Sequence, residues 1–159
     1  CPGGEGIEVI WQCGKYYKPS VDAFMKEAQG KGLGGECLKY IHHSDFIKRM
    51  DLAYAAADIV ISRSGASSIS ELCAAHKASI FVPSPNVTED HQTHNAMALV
   101  RKDAGMIVKD SEAEEKLMKT ACGLIENPER IALMEKNIAV LAKTEAAQEI
   151  VDEAYKIIG

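Results

Sequence analysis

Asp58-Ile59-Val60-Ile61-Ser62-Arg63-Ser64-Gly65-Ala66-Ser67-Ser68-Ile69-Ser70-Glu71 passes from strand to helix with almost no connector. A short β-branched run stops at a small-residue turn, and a helical pattern begins at once. Amide N–H groups at a helix start have no partner within the helix and sit at the positive end of its dipole. Gly65 lets a ligand come close to the backbone, and Ser64, Ser67 and Ser68 add hydroxyls. Such a turn suits an anion, and phosphate above all. The same residues also read as an ordinary strand–helix turn, with Ser68-x-x-Glu71 as a capping box.

Moving outward, Ile80-Phe81-Val82-Pro83-Ser84-Pro85-Asn86-Val87-Thr88-Glu89-Asp90-His91-Gln92-Thr93-His94-Asn95-Ala96 repeats the strand–loop–helix order. Two prolines stiffen the loop. Glu89, Asp90, His91, Gln92 and Asn95 crowd the helix opening with more hydrogen-bonding capacity than a connector needs. Ligands of open parallel sheets bind beyond the carboxyl ends of the strands. Both loops lie at such ends, so both can face one ligand.

The rest of the chain keeps the alternation. Strands are expected at Ile7–Gln12, Leu38–His42, Asp58–Ser62, Ser79–Pro83 and Gly105–Val108. Helices are expected near Ser20–Gln29, through Ile47, Met50, Tyr54 and Ala57, and over Asn95–Lys102. The remainder reads as helical with a break at Asn127-Pro128, and closes on an apolar stripe of Ala146, Ile150, Val151, Ala154, Ile157 and Ile158. This pattern predicts a parallel sheet covered on both faces, with right-handed crossovers. No linker or repeat divides the chain, so residues 1–159 are expected to form a single domain.

Composition narrows the function. A net charge of -5 argues against a general nucleic-acid surface. No apolar run approaches the ~20 residues of a membrane span, and no signal peptide is visible. Cys1, Cys13, Cys37, Cys73 and Cys122 form no C-x-x-C pair, so no zinc site is expected, and scattered thiols fit a reducing cytoplasm. His42-His43 before Asp45 lacks the i, i+4 spacing of a helical metal pair. Glu89-Asp90-His91 invites an acid–base reading, but carboxylates at a helix start are favoured on electrostatic grounds alone. The chain opens at Cys1 rather than Met, which reads as a fragment.

Arg63-Ser64-Gly65-Ala66 with Glu71, then Val82-Pro83, then His91-Gln92-x-x-Asn95-Ala96, resembles the donor-binding half of the MurG family. The likeness extends through Phe46-Ile47-x-x-Met50-x-x-Ala53-Tyr54-x-x-Ala57-Asp58 and covers nearly the whole chain from about Ile7. These bacterial enzymes move N-acetylglucosamine (GlcNAc) from UDP to undecaprenyl-linked muramyl-pentapeptide, lipid I, making the peptidoglycan precursor lipid II. The resemblance implies an α/β fold: a three-layer Rossmann-like parallel sheet, the C-terminal half of a GT-B glycosyltransferase.

It also implies roles. Ser64, Gly65, Ala66 and Ser67 would hold the UDP diphosphate through backbone amides, and Glu71 would accept hydrogen bonds from the ribose hydroxyls. Phe46, Ile47 and Met50 would surround the uracil, with plain helix packing as the other reading of Met50. His91 and Gln92 would contact the GlcNAc hydroxyls, supported by Asn95, while Arg63 would aid the phosphates or pair with an acid. UDP-GlcNAc would be the substrate, with no metal or other cofactor.

Two departures from the family pattern stand out. Pro2-Gly3-Gly4-Glu5-Gly6 does not match the family's first phosphate loop. The acceptor half, with its proposed base and its membrane-facing patch, is absent. This chain therefore carries no expected catalytic residue. Contact with lipid I, and peripheral attachment at the cytoplasmic face of the inner membrane, would run through that missing half. Other readings are a different UDP-sugar transferase such as a glycolipid synthase, a donor subunit with a separate acceptor subunit, and a non-catalytic nucleotide-binding module.

Overall fold

The computed structural model describes residues 6–32, 35–85 and 90–158. They fall into two compact units, Cys1–Ala53 and Tyr54–Gly159.

The first unit holds two parallel strands, β1 (Val9–Gln12) and β2 (Ile41–Ser44), in a register that sets Val9 against Ile41 and Gln12 against Ser44. Helix α1 (Gly14–Gly30) lies between them in sequence, followed by a 3-10 turn over Gly35–Tyr40. The helix begins six residues before the expected start at Ser20, with Pro19 inside it. A proline this near a helix start removes one backbone hydrogen bond, the one to the carbonyl four residues back, and is tolerated here. The second strand is displaced from the expected Leu38–His42, because Leu38, Lys39 and Tyr40 belong to the 3-10 turn. The end of β1 is tied to the end of β2 by Cys13, whose N–H and Sγ both donate to the Ser44 carbonyl, at 2.9 and 3.2 Å.

Helix α2 (Met50–Ala56) carries the chain into the second unit. There β3 (Val60–Ser62), β4 (Ser79–Phe81) and β5 (Met106–Ile107) form a parallel sheet in the order β3-β4-β5. Helix α3 (Ala66–Ala74) connects β3 to β4, and α4 (His91–Val100) connects β4 to β5. After the sheet come α5 (Ala113–Ile125), α6 (Pro128–Ala139) and α7 (Ala146–Ile158).

Alternation along β4 explains the layering. Successive side chains of a strand point to opposite faces. Phe81 packs with Leu72 and Cys73 of α3, Ala96 and Leu99 of α4, and Ile138 of α6. Ile80 packs with Ala121 and Leu124 of α5 and Met134 of α6. Both faces of this sheet are therefore covered, and every residue of β4 is buried. That accounts for its continuous apolar run. Asn127 caps α6 by accepting the Arg130 N–H at 3.0 Å, with Pro128 as first helical residue. The apolar residues Ile150, Val151 and Ile157 of α7 are exposed, as is Tyr155.

Because all three strands run parallel, β3 and β4 end on the same side of the sheet. The starts of α3 and α4 follow those ends. The second unit thus gathers the starts of α3 and α4 at one edge.

Candidate functional site

The N-terminus of α3 lies at that edge, after β3. Gly65 is its N-cap with φ −64° and ψ 152°, and no side chain caps the helix. The first-turn amides, from Ala66 to Ser68, therefore have neither helical nor capping side-chain partners. Among the described residues, a Cβ placed on Gly65 would meet only Ser68 Oγ, at 3.9 Å. Neither backbone conformation nor packing within the chain requires glycine at this position. Its missing side chain leaves open space directly in front of the helix start.

Ser68 is the third helical residue rather than the N-cap, so the capping-box reading of Ser68-x-x-Glu71 fails. Glu71 is exposed, farther along α3. Its Oε2 accepts a hydrogen bond from the Tyr54 hydroxyl at 3.1 Å. Partial burial, reinforced by this bond, pushes the Tyr54 phenol up to about 12. Tyr54 is therefore a neutral donor throughout the physiological range.

Ser64 is fully buried and joins the two loops. Its hydroxyl donates to the Gln92 carbonyl at 2.8 Å, and its own carbonyl accepts from Asn95 Nδ2 at 3.2 Å. Gln92 Oε1 accepts the Ser84 N–H at 2.9 Å. Gln92 thus braces the chain after β4 through its oxygen. Asp90, just before α4, adopts a left-handed conformation with φ 54°. His91 is exposed as the first residue of that helix. Glu89 lies outside the described residues.

Arg63 faces away from a free-cation role. It donates to the carbonyls of Val82 and Pro83, at 3.0 and 3.3 Å, and pairs with Asp110. It straps the ends of β3 and β4 to the turn before α5. Ala66 and Ser67 are exposed at the start of α3. In the first unit, Phe46 is 67% exposed and its N–H donates to Asp45 Oδ1 at 2.9 Å. The Ile47 N–H donates to Gln12 Oε1 at 2.8 Å, and Met50, half-buried, opens α2. His42 and His43 face different carboxylates, Glu8 at 3.3 Å and Asp22 at 3.6 Å.

Two participants escaped the sequence reading. Tyr54 reads there as a packing residue at helical spacing, and Asp110 falls in a stretch read as helical. Both bond partners distant in sequence, Tyr54 to Glu71 and Asp110 to Arg63. No local pattern signals such contacts.

A profile of the glycosyltransferase family 28 C-terminal domain matches residues 3–153. The chain belongs to this family. Its relatives include a protein of Parabacteroides distasonis named UDP-N-acetylglucosamine--N-acetylmuramyl-(pentapeptide) pyrophosphoryl-undecaprenol N-acetylglucosamine transferase, 49% identical over 96% of this chain. A relative of the same name in Cytophaga hutchinsonii is 42% identical, again over 96% of the chain. The family 28 domain described here spans only 39% and 38% of the length of those two relatives. A crystal structure of Acinetobacter baumannii MurG superimposes with a TM-score of 0.76 at 27% identity, over 94% of this chain and 41% of that one. The α/β fold with parallel sheets is thus that of the C-terminal half of a GT-B glycosyltransferase.

Proposed function

We propose that this domain binds UDP-GlcNAc for a glycosyltransferase that adds GlcNAc to lipid I, forming lipid II. The observation that carries this reading is the uncapped start of α3, with open space in front of Gly65 and Glu71 on the same helix. Relatives at 42–50% identity bear the name of that transferase, which supports the choice of donor.

The domain's chemical contribution is to the leaving group. When the bond from the anomeric carbon to the β-phosphate oxygen breaks, negative charge grows on UDP. Preorganised N–H donors at a helix start stabilise such charge without reorganising. The amides of residues 65–67 are suited to this, and the helix dipole adds to them. Glu71 suits the ribose, since a carboxylate accepts from hydroxyls and cannot donate. His91 and the Nε2 group of Gln92 are suited to the sugar hydroxyls, while Phe46, Ile47 and Met50 are assigned to the uracil. Deprotonation and placement of the acceptor hydroxyl are assigned to the part of the enzyme beyond this domain, as are membrane attachment at the cytoplasmic face and contact with lipid I. Among the described residues no helix is long and apolar enough to cross a membrane.

Calorimetric titration with UDP, UDP-GlcNAc and ADP tests the reading. UDP binding is expected, with ADP much weaker. Glu71→Gln is expected to weaken UDP by roughly 1.5–3 kcal/mol, the worth of a hydrogen bond to a charged group. Equal affinity for ADP and UDP would remove the uracil assignment. Full UDP affinity in Glu71→Gln would remove the ribose assignment.

A further inference from the structure

We infer that Tyr54 is a positioning residue for the nucleotide: its hydroxyl holds Glu71 Oε2, so that the remaining carboxylate lone pairs are presented to the ribose diol. The inference rests on the assignment of Glu71 to the ribose.

The two partners differ in stiffness. Glu71 is an exposed side chain with three rotatable bonds on the surface of α3. Left alone it would sample many rotamers, and fixing one on binding would cost entropy. Tyr54 has two such bonds. Its ring packs against the buried cluster around Leu72 and Phe81, which anchors it in the core of the second unit. A core-held phenol therefore reaches out to a mobile carboxylate and selects one of its orientations, with O···O at 3.1 Å. A carboxylate offers about four lone-pair sites, and the phenol uses one. Both ribose hydroxyls can still be accepted. Burial and this bond keep the phenol protonated, so it stays a donor to Glu71.

The contact is also directional in chemistry. A tyrosine hydroxyl donates to a carboxylate but cannot pair with it as an ion. It orients Glu71 without neutralising the charge that makes it a strong acceptor. An arginine or lysine in its place would compete with the ribose.

Tyr54→Phe tests the inference, because it keeps the ring and its packing and removes only the hydroxyl. Affinity per folded molecule is measured for UDP and for 2′,3′-dideoxy-UDP, with the folded fraction taken from circular dichroism. The expected result is a loss of UDP affinity within the roughly 2- to 12-fold range of an ordinary hydrogen bond. Affinity for the dideoxy ligand should not change, and the loss should vanish in a Glu71→Gln background. Equal losses for both ligands would mark Tyr54 as a packing residue and overturn the inference. So would an unchanged UDP affinity in Tyr54→Phe alongside a weakened Glu71→Gln. Full UDP affinity in Glu71→Gln would instead show that the ribose assignment itself had failed, and this inference with it.

Discussion

Ser64 shows how one small side chain sets the geometry of a site without facing the ligand. Its hydroxyl and carbonyl are both engaged by α4, so the turn after β3 and the start of α4 move as one piece. Replacing it with alanine removes this hydrogen bond, while the Gln92 carbonyl keeps the N–H it accepts within α4. The net worth of one such bond is about 0.5–1.5 kcal/mol. Ser64→Ala is therefore expected to lower stability to urea by that amount, read from the shift in unfolding midpoint. Gly65 follows Ser64 in the same turn, so nucleotide affinity should fall as well. A variant with unchanged stability would show that the bond contributes nothing net.

At the scale of elements, β4 and the turn before β5 fit closely. A Cβ on Gly105 would sit 2.7 Å from Phe81 Cε2 and 3.4 Å from the Ser79 carbonyl. The Phe81 ring is fully buried and has no room to withdraw. Gly105→Ala should cost about 1–3 kcal/mol through overpacking, visible as a lower thermal midpoint, and an unshifted midpoint would contradict it. The pattern of strands and helices was legible because periodicity reports which faces are buried: Ile80 and Phe81, both apolar and adjacent, announced a strand covered on two sides. Boundaries were less legible. Leu38 looked like strand because it is apolar, yet β1 has only four positions to pair, and Ile41–Ser44 fill them. The loops after β3 and β4 were legible as a candidate site from their excess of polar groups. What Ser64 and Gln92 bond to was not, since those partners come from separate elements and follow from tertiary packing. The Tyr54–Glu71 bond was hidden for the same reason.

At the scale of the whole molecule, the groups proposed for function are donor-side groups. The chain spans 39% of its Parabacteroides relative, and the groups assigned here all suit a nucleotide sugar. Glycosyl transfer also requires an acceptor hydroxyl held against the anomeric carbon, and such positioning can supply roughly 7–11 kcal/mol of the barrier. Residues 1–159 alone are therefore expected to transfer no GlcNAc to lipid I, and to hydrolyse UDP-GlcNAc only near the background rate. A radiolabel assay decides this. Transfer by the isolated chain, lost in His91→Ala, would mean that this half carries a catalytic group after all.

The uncapped start of α3 has a thermodynamic side. Gly65 already has the extended backbone that N-cap serines adopt, and a Cβ fits there. Serine would cap the helix and lower the entropy of the unfolded chain, and together these favour folding by a few tenths to about 1 kcal/mol. The chain forgoes that stability. Gly65→Ser is expected to melt at a higher temperature and to bind UDP more weakly, because its hydroxyl would occupy the very N–H a phosphate needs. A mutational search for heat resistance would thus select against the nucleotide at this one position.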